Sequence, residues 1–512
     1  MTEPQAASAS SLEGIERLPP ENLAEIFMFC LPSGRWASYW PNTENAPWVL
    51  AQVCSHWRAV ALSTSRLWRI IEVHLTAFLA EEIDINDGSS SAGDSSDEID
   101  DCVSTGSPSL HSLGSCGSSS ARAPSPHTMM HLISLFLERS GSSPFTLIVS
   151  WEHGKPHELT PMLSRVVLML TRESHRWEEV SYRLPLSLLV TLPSVKGRLQ
   201  SLRTLDLCLG FTGDEGAVID NFEDAPLLQS VDLLMWPSPT GIQVAVKFPS
   251  AQLTSYTCLF QRLSDVFTTL HEMPSLVLCD LYYKPLPDND DVLTDTPPLR
   301  LAHLRNISLD HSSNDSDGSY LAHLTDRLTL PRLEHLKVNC ANKLFPHLTA
   351  LVARSRCQLR TFSVRGMQFN SAVFDFFACV PTVTELTLGS IILTVNEAAW
   401  LTRPTPPISC PLPALRVLNM DYTQLRAAEF VQMIESRVDD ARRAGGACLE
   451  ELRVTNIVLD RNTLAQLLSL RRPGLRVTVV DQYDRDLAPY EKTEDEEEAE
   501  EPVCTVPTSP HP

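Results

Sequence analysis

The sequence predicts an α/β solenoid built on a parallel sheet, with a small domain of three helices in front of it. Eleven copies of an L-x-x-L-x-L pattern, some with other apolar residues, lie between residues 177 and 454. Apolar residues recur at helical spacing between residues 17 and 71, and two acidic segments flank the repeated region. We therefore expect a helical domain at 11–75, a linker at 81–126, the solenoid at 127–483 and a tail at 484–512.

The first predicted helix carries its apolar residues on one face. They are Leu23, Ile26, Phe27, Cys30 and Leu31, at the spacing i, i+3, i+4, i+7 and i+8. Pro19 and Pro20 precede them, where a helix tolerates proline because its first N–H groups lack partners. A second helix is predicted from Leu50, Val53, Cys54, Trp57 and Ala61, and a short apolar turn follows at Leu67, Trp68, Ile70 and Ile71. Three helices in about 55 residues cannot bury all these groups, so some apolar surface is expected to meet a partner.

This region resembles an F-box. The resemblance rests on Leu18-Pro19-Pro20-Glu21, Leu23, Ile26 and Phe27, followed by Val53-Cys54-x-x-Trp57-Arg58 and Leu67-Trp68. It implies docking on the Skp adaptor of a cullin–RING ubiquitin ligase. The residues expected to contact the adaptor are Leu18, Pro19, Ile26, Phe27, Leu31, Val53, Trp57, Leu67 and Trp68. The alternative is a helical hairpin packed on its own domain, in which case several of these side chains, Trp57 above all, belong to the internal core.

Net charge and cysteine content restrict the class of protein. The segment 81–101 holds nine acidic and no basic residues, and 491–501 holds eight acidic residues and one Lys. These two runs account for −16 of the net charge of −22, which argues against nucleic acid as a ligand. We expect both the linker and the tail to be disordered. The N-terminus lacks a basic, apolar start, and no apolar run is long enough to span a membrane. The Cys residues are scattered. These features predict a cytoplasmic or nuclear protein.

The repeated pattern has the period of a solenoid. The middle apolar residues are Val180, Leu205, Val231, Tyr256, Cys279, Ile307, Leu336, Phe362, Leu386, Leu418 and Leu452. Eight of the ten steps between them are 23 to 29 residues, and the last two are 32 and 34. This resembles the leucine-rich-repeat class of F-box proteins, particularly the divergent fungal kind. The usual Asn or Cys after each pattern is absent; Gly210, Trp236, Ala341, Met367 and Thr423 stand there. An ordinary α/β domain with a mixed sheet remains the alternative.

Motifs for catalysis and for metal binding are missing. The sequence contains no phosphate-binding P-loop, no G-x-S-x-G elbow and no H-E-x-x-H. We therefore expect no enzyme activity, no cofactor and no metal site. The resemblance implies a substrate-recognition subunit of an SCF-type ubiquitin ligase, which promotes transfer by proximity. A scaffold that uses the same modules without ubiquitination is the alternative.

The predicted strands suggest where a protein substrate binds. In a horseshoe repeat, the residues flanking each middle position line the concave face, since side chains alternate across a strand. We expect Asp206, Asp232 and Asp280 at these positions to form an acidic column with Asp310, which lies one step further along the same face. The next two repeats present His335 and Lys337, with Arg365 again one step further along. A basic segment of the target would then lie over the Asp column. Taken singly, each of these is better explained as a solvated strand residue, and the prediction rests on the column.

Overall fold

The structure is a computed structural model that describes sixteen stretches of the chain. These stretches are 18–31, 45–75, 125–151, 161–191, 193–210, 218–235, 245–284, 297–311, 319–339, 342–402, 411–422, 424–425, 427–440, 447–455, 461–471 and 473–480. The chain divides into two compact units, Met1–Leu276 with Lys284–Asn289, and Val277–Tyr283 with Asp290–Pro512. They are called unit 1 and unit 2 below.

Unit 1 combines short helices with parallel strands. Its helices are α1 (Pro20–Phe29), α2 (Leu50–Val53), α3 (Ser55–Ser63), a 3-10 turn at Ser65–Trp68, α4 (Pro126–Arg139), α5 (Pro161–Arg172), 3-10 turns at Ser174–Arg176 and Ser250–Gln252, α6 (Leu186–Thr191) and α7 (Leu263–His271). Its strands are β1 (Ile70–His74), β2 (Phe145–Ser150), β3 (Trp177–Pro185), β4 (Thr204–Gly210), β5 (Val218–Ile219), β6 (Ser230–Met235), β7 (Ala245–Val246) and β8 (Ser255–Phe260). Six of these strands follow the order β1-β2-β3-β4-β6-β8, and β5 pairs with β7.

Unit 2 repeats the alternation of strands and helices. Its strands are β9 (Leu278–Tyr283), β10 (Leu299–Arg300), β11 (Asn306–His311), β12 (Leu328–Thr329), β13 (His335–Asn339), β14 (Thr361–Arg365), β15 (Glu385–Gly389), β16 (Ile392–Leu393), β17 (Val417–Asp421), β18 (Gln424–Leu425), β19 (Glu451–Thr455) and β20 (Arg476–Val480). Its helices are α8 (Ser319–Arg327), a 3-10 turn at Asn342–Leu344, α9 (Phe345–Ser355), α10 (Ser371–Cys379), α11 (Val395–Leu401), α12 (Ala427–Glu435) with a π-helical turn at Ser436–Asp440, and α13 (Arg461–Ser469). Eight strands follow the order β9-β11-β13-β14-β15-β17-β19-β20, and β10 pairs with β12 and β16 with β18.

The register aligns the apolar residues of neighbouring strands in rows. In unit 1, Val180, Leu205, Val231 and Tyr256 lie opposite one another. In unit 2 the matching row runs from Cys279 to Val477. All eleven middle residues of the sequence pattern lie in strands and are buried. The predicted parallel sheet is confirmed, and a mixed sheet is wrong, because every described strand pair is parallel.

Besides the six two-residue strands, two longer strands, β1 and β20, were not predicted from the sequence. β1 lies where the end of the helical domain was expected, and its pairing with β2 places it in the sheet of unit 1. Its buried residues run consecutively from Ile71 to Val73, which hides the alternation of a strand. β20 follows the last repeat by an ordinary step, but Gly474 occupies the first apolar position of its pattern.

The helical region differs from the prediction at its second helix. The chain is extended at Cys54, with φ −157° and ψ 174°, so the expected single helix is divided into α2 and α3. The Cys54 sulfur then accepts a hydrogen bond from the backbone N–H of Trp57, which caps α3. The expected linker, apart from residues 125–126, and the tail at 484–512 lie outside the described residues.

Arginine side chains donate hydrogen bonds to backbone carbonyl groups at two connections. Arg354 of α9 donates to the carbonyl oxygens of Thr325 and Leu328 at the end of α8, at 2.6 to 2.9 Å. Arg437 does the same after α11. Its guanidinium donates to the carbonyl oxygens of Leu401, Pro411 and Leu412 at 2.8, 3.0 and 3.3 Å. Because a carbonyl left buried without a donor is costly, these arginines permit turns of unequal length between the strands.

Replacing Arg437 with methionine should destabilise unit 2. Arg437 is only 4% exposed, and Arg437→Met leaves three carbonyl oxygens without their donor. We expect a loss of about 3 kcal/mol in the free energy of unfolding, measured by urea denaturation. Arg416→Met is the matched control, because Arg416 forms only a surface ion pair with Glu450 at 2.9 Å and should cost less than about 1 kcal/mol. Equal effects of the two changes would contradict the role of Arg437.

Candidate binding surfaces

The helical region of unit 1 is held together by aromatic residues. On α1, Leu23 and Phe27 are fully buried, and the Phe27 ring lies 4.9 Å from the Trp57 ring of α3. Arg58 links α3 to α2 through a 2.8 Å hydrogen bond from Nε to the carbonyl oxygen of Ala51. These contacts hold α1, α2 and α3 together as one body. We call this group of helices the helical module.

Trp68 connects the helical module to α4. Its indole N–H donates to the carbonyl oxygen of Ala61 at 2.9 Å, and its ring meets Trp48 and Phe136 edge to face. The guanidinium of Arg139 lies over the Trp68 ring at 4.7 Å. Trp68 is therefore part of the internal packing of unit 1.

The helical module leaves large apolar side chains exposed. The exposed fractions are 45% for Ile26, 88% for Phe29, 42% for Val49 and 58% for Val53. Together with the exposed Pro19, these residues define the apolar surface of the module. Burying one such side chain at an interface contributes about 1.5–3 kcal/mol, so this surface can bind a partner.

The nine residues predicted from the sequence to contact the adaptor differ in their solvent exposure. Pro19, Ile26 and Val53 are exposed, and Leu18, Leu31 and Trp57 are half-buried. Phe27, Leu67 and Trp68 are buried, which corrects their expected position: they support the surface from inside. Phe29 and Val49 were missed. For Phe29 the signal was the unbroken run from Ile26 to Phe29, since four successive apolar residues of a helix cannot all face one core.

On unit 1, two of the nominated aspartates are direct neighbours. We call the side of each sheet that carries the incompletely buried residues its open face. Asp206 of β4 and Asp232 of β6 lie opposite each other on this face, about 5 Å apart at strand spacing. Ser181 of β3 donates to the Asp206 carboxylate at 3.0 Å. Thr257 follows Asp232 in the same row, so the acidic row of unit 1 ends there.

On unit 2, the remaining aspartates do not continue one column. Asp280 of β9 lies opposite Ser308, whereas Asp310 of β11 lies opposite Tyr282, two residues further along. Asn339 of β13 donates to Asp310 at 3.0 Å. The continuous column of four carboxylates is therefore corrected to one adjacent pair on unit 1 and two offset carboxylates on unit 2.

The basic residues expected after the aspartates also behave differently from one another. His335 is half-buried and Lys337 is exposed, both on β13. The guanidinium of Arg365 on β14 reaches past β15 to the carboxylate of Asp421 on β17, at 2.5 Å. Because Asp421 also accepts a 3.0 Å hydrogen bond from Thr455, Arg365 is held in a local network and is only half-exposed.

Gly389 makes this contact possible. It lies opposite both Arg365 and Asp421 in the strand register. A Cβ atom at Gly389 would lie 2.6 Å from Cγ of Arg365, which is closer than two non-bonded carbon atoms approach each other. Because Gly389 has no side chain, it leaves room for the Arg365 side chain to cross β15.

The described residues also bear on metal binding, thiol chemistry and membrane spans. Within these ranges no group of three His, Cys, Asp or Glu could hold a metal ion. Burial raises the pKa of the Cys258 thiol to about 12, so that thiol stays protonated at neutral pH. None of the helices in the described ranges has the length and apolar character needed to cross a membrane.

Comparison with known proteins gives no assignment: no family model matches the chain, and no curated protein matches it significantly.

Adding a side chain at Gly389 should disturb the Arg365–Asp421 contact. We expect Gly389→Ala to lower the free energy of unfolding by about 1–3 kcal/mol, measured by urea denaturation. Gly210→Ala is the control, because nothing lies within 4 Å of a Cβ at that strand position. In the double variant Arg365→Ala/Gly389→Ala, the added Cβ no longer meets the Arg365 side chain. Gly389→Ala should therefore lower the free energy of unfolding less in the Arg365→Ala background than in the original chain. Additive costs would contradict the proposed close approach.

Proposed function

We propose that this protein is the substrate-recognition subunit of an SCF-type ubiquitin ligase. The helical module would act as an F-box that binds a Skp-type adaptor and so connects the chain to a cullin. The strand repeats, as divergent leucine-rich repeats, would hold the protein substrate. The observation that carries the proposal is the apolar surface of the helical module, where Phe29 and Val53 are more than half exposed.

The proposal fits the energetics of the helical module. A surface that carries Ile26, Phe29, Val49 and Val53 is unfavourable in water and is typical of a protein interface. The buried residues beneath it, Phe27 and Trp68, are held by ring contacts that keep the surface in place. A rigid, preformed apolar surface loses little entropy when it binds.

The open face of unit 1 fits a basic segment of the substrate. Asp206 and Asp232 lie side by side, and like charges at strand spacing repel each other. A Lys or Arg side chain of the target would relieve this repulsion. On this proposal the role of Asp280, Asp310, His335, Lys337 and Arg365 is secondary, because the register separates the two acids and Asp421 holds Arg365.

Charged substitutions on the apolar surface should abolish adaptor binding. We expect Phe29→Asp/Val53→Asp to weaken capture of a purified Skp-type adaptor by more than about tenfold, because burial of a charge opposes the contact. Leu18→Ala/Pro19→Ala should reduce capture in the same assay. Ile392→Asp/Val395→Asp is the matched control, since both residues are exposed apolar groups of unit 2.

The same capture experiment separates the proposal from its alternative. Cullin recovered with the adaptor supports a ubiquitin ligase, whereas adaptor without cullin supports an assembly scaffold. Undiminished adaptor binding by the Phe29→Asp/Val53→Asp variant would contradict the proposed surface.

Charge reversal on the open face of unit 1 should remove substrates but not the adaptor. We expect Asp206→Lys/Asp232→Lys to lower the recovery of specifically bound proteins by about tenfold, measured by quantitative mass spectrometry under proteasome inhibition. Glu138→Lys/Asp224→Lys makes the same charge change at exposed positions of unit 1 outside the strands. If both variants retain their bound proteins equally, the open face of unit 1 is not the substrate site.

A further inference from the structure

The open face of unit 2 exposes its cations more than its carboxylates. Lys337, Arg365, Arg453 and Arg476 are exposed strand residues on this face. The acidic residues of the same rows are half-buried or buried: Asp280, Asp310, Glu385, Asp421 and Glu451. The face therefore presents positive groups outward although its formal charges nearly balance.

Local donors account for most of these carboxylates. Asp310 and Asp421 accept the bonds from Asn339, Arg365 and Thr455 described above. Asn419 donates to Glu385 at 3.0 Å. Arg453 donates to Glu451 at 2.8 Å, and this hydrogen bond lowers the pKa of Glu451.

Lys337 has no such partner, because it makes no ion pair with another described residue. Arg476 lies opposite Glu451 in the strand register, and its charge helps to lower the pKa of that carboxyl. Lys337 shares one row with Ser363, Thr387, Asn419 and Arg453. This row spans about 19 Å at ordinary strand spacing. The row thus offers an exposed cation at each end, Lys337 and Arg453, which suits the carboxylates of an acidic peptide.

We propose that the acidic segment Glu491–Glu501 of this chain docks on the open face of unit 2. This segment carries a net charge of −7, and it follows β20, the strand that holds Arg476. The eleven residues from Val480 to Glu491 reach up to about 36 Å, and the acidic segment itself can extend as far. Both lengths exceed the distance from Arg476 to Lys337, which is five strand steps or about 24 Å. The segment can therefore reach every cation of the face, and the inference does not depend on the proposed ligase function.

Zero-length carbodiimide cross-linking of the full chain tests this docking. The reagent joins an amine to a carboxylate in contact with it, and Lys337 is the lysine of the face. We expect cross-links from Lys337 to carboxylates of 491–501 in monomeric protein at low salt, reduced about tenfold at high salt. Arg453→Lys/Arg476→Lys keeps the charge and adds two amines, so new cross-links to the same segment should form. Lys196 with Glu223, 2.5 Å apart in unit 1, is the internal control for the reaction.

Absence of tail cross-links at these positions, while Lys196 reacts, would overturn the proposal. Cross-links found only in a dimer would overturn docking within one chain and indicate a second copy as the occupant.

A binding experiment provides an independent readout. A fluorescent peptide with the sequence of residues 491–501 is titrated into a full-chain variant. In this variant the net charge of the chain's own segment is reduced from −7 to −2 by Glu494→Gln, Asp495→Asn, Glu496→Gln, Glu497→Gln and Glu498→Gln. We expect saturable binding that Arg453→Glu/Arg476→Glu weakens about tenfold. Arg165→Glu/Arg172→Glu, on the exposed side of α5, should leave it unchanged. If both double variants weaken binding equally, only the net charge of the protein matters, and the proposed docking site is wrong.

Discussion

The rows of apolar side chains along the parallel strands are the constraint on which both units depend. A strand of a single repeat has one apolar face and no partner for its backbone, so it is unstable alone. Register with the next strand satisfies the backbone and buries the row together, as with Leu205 and Val231 in unit 1. Each fully buried Leu or Phe contributes about 1.5–3 kcal/mol, and this gain recurs at every strand. Connections between strands can therefore vary in length provided that the register is kept.

The variable connections have a physical cost, and hydrogen bonds from arginine side chains offset it. Carbonyl groups at helix ends need donors, and a regular repeat supplies them from one conserved turn. Here Arg354 and Arg437 reach back to the preceding connection and donate several hydrogen bonds each. The planar, branched guanidinium suits this task because it can donate to two or three acceptors at once. Irregular repeats thus remain compatible with a regular ladder.

The exposed surfaces follow from how the elements are supported. In the helical module, Phe27 and Trp68 occupy the available core, and Phe29 and Val53 are left outside. On the open face of unit 2, polar neighbours hold the short carboxylate side chains down, while the longer Lys337 and Arg476 extend into water. A nearly balanced set of charges therefore exposes its cations more than its carboxylates. Both surfaces are consequences of packing that binding partners can use.

The sequence alone determined which residues of the repeats face inward. Alternation within each strand and a step of roughly 25 residues are local patterns, so all eleven middle positions were predicted correctly. Residues that depend on distant neighbours were not predictable in the same way. The register decided that Asp206 meets Asp232 but that Asp280 and Asp310 are offset. The contact of Arg365 with Asp421 depends on a missing side chain at Gly389, and only the folded sheet brings these three positions together.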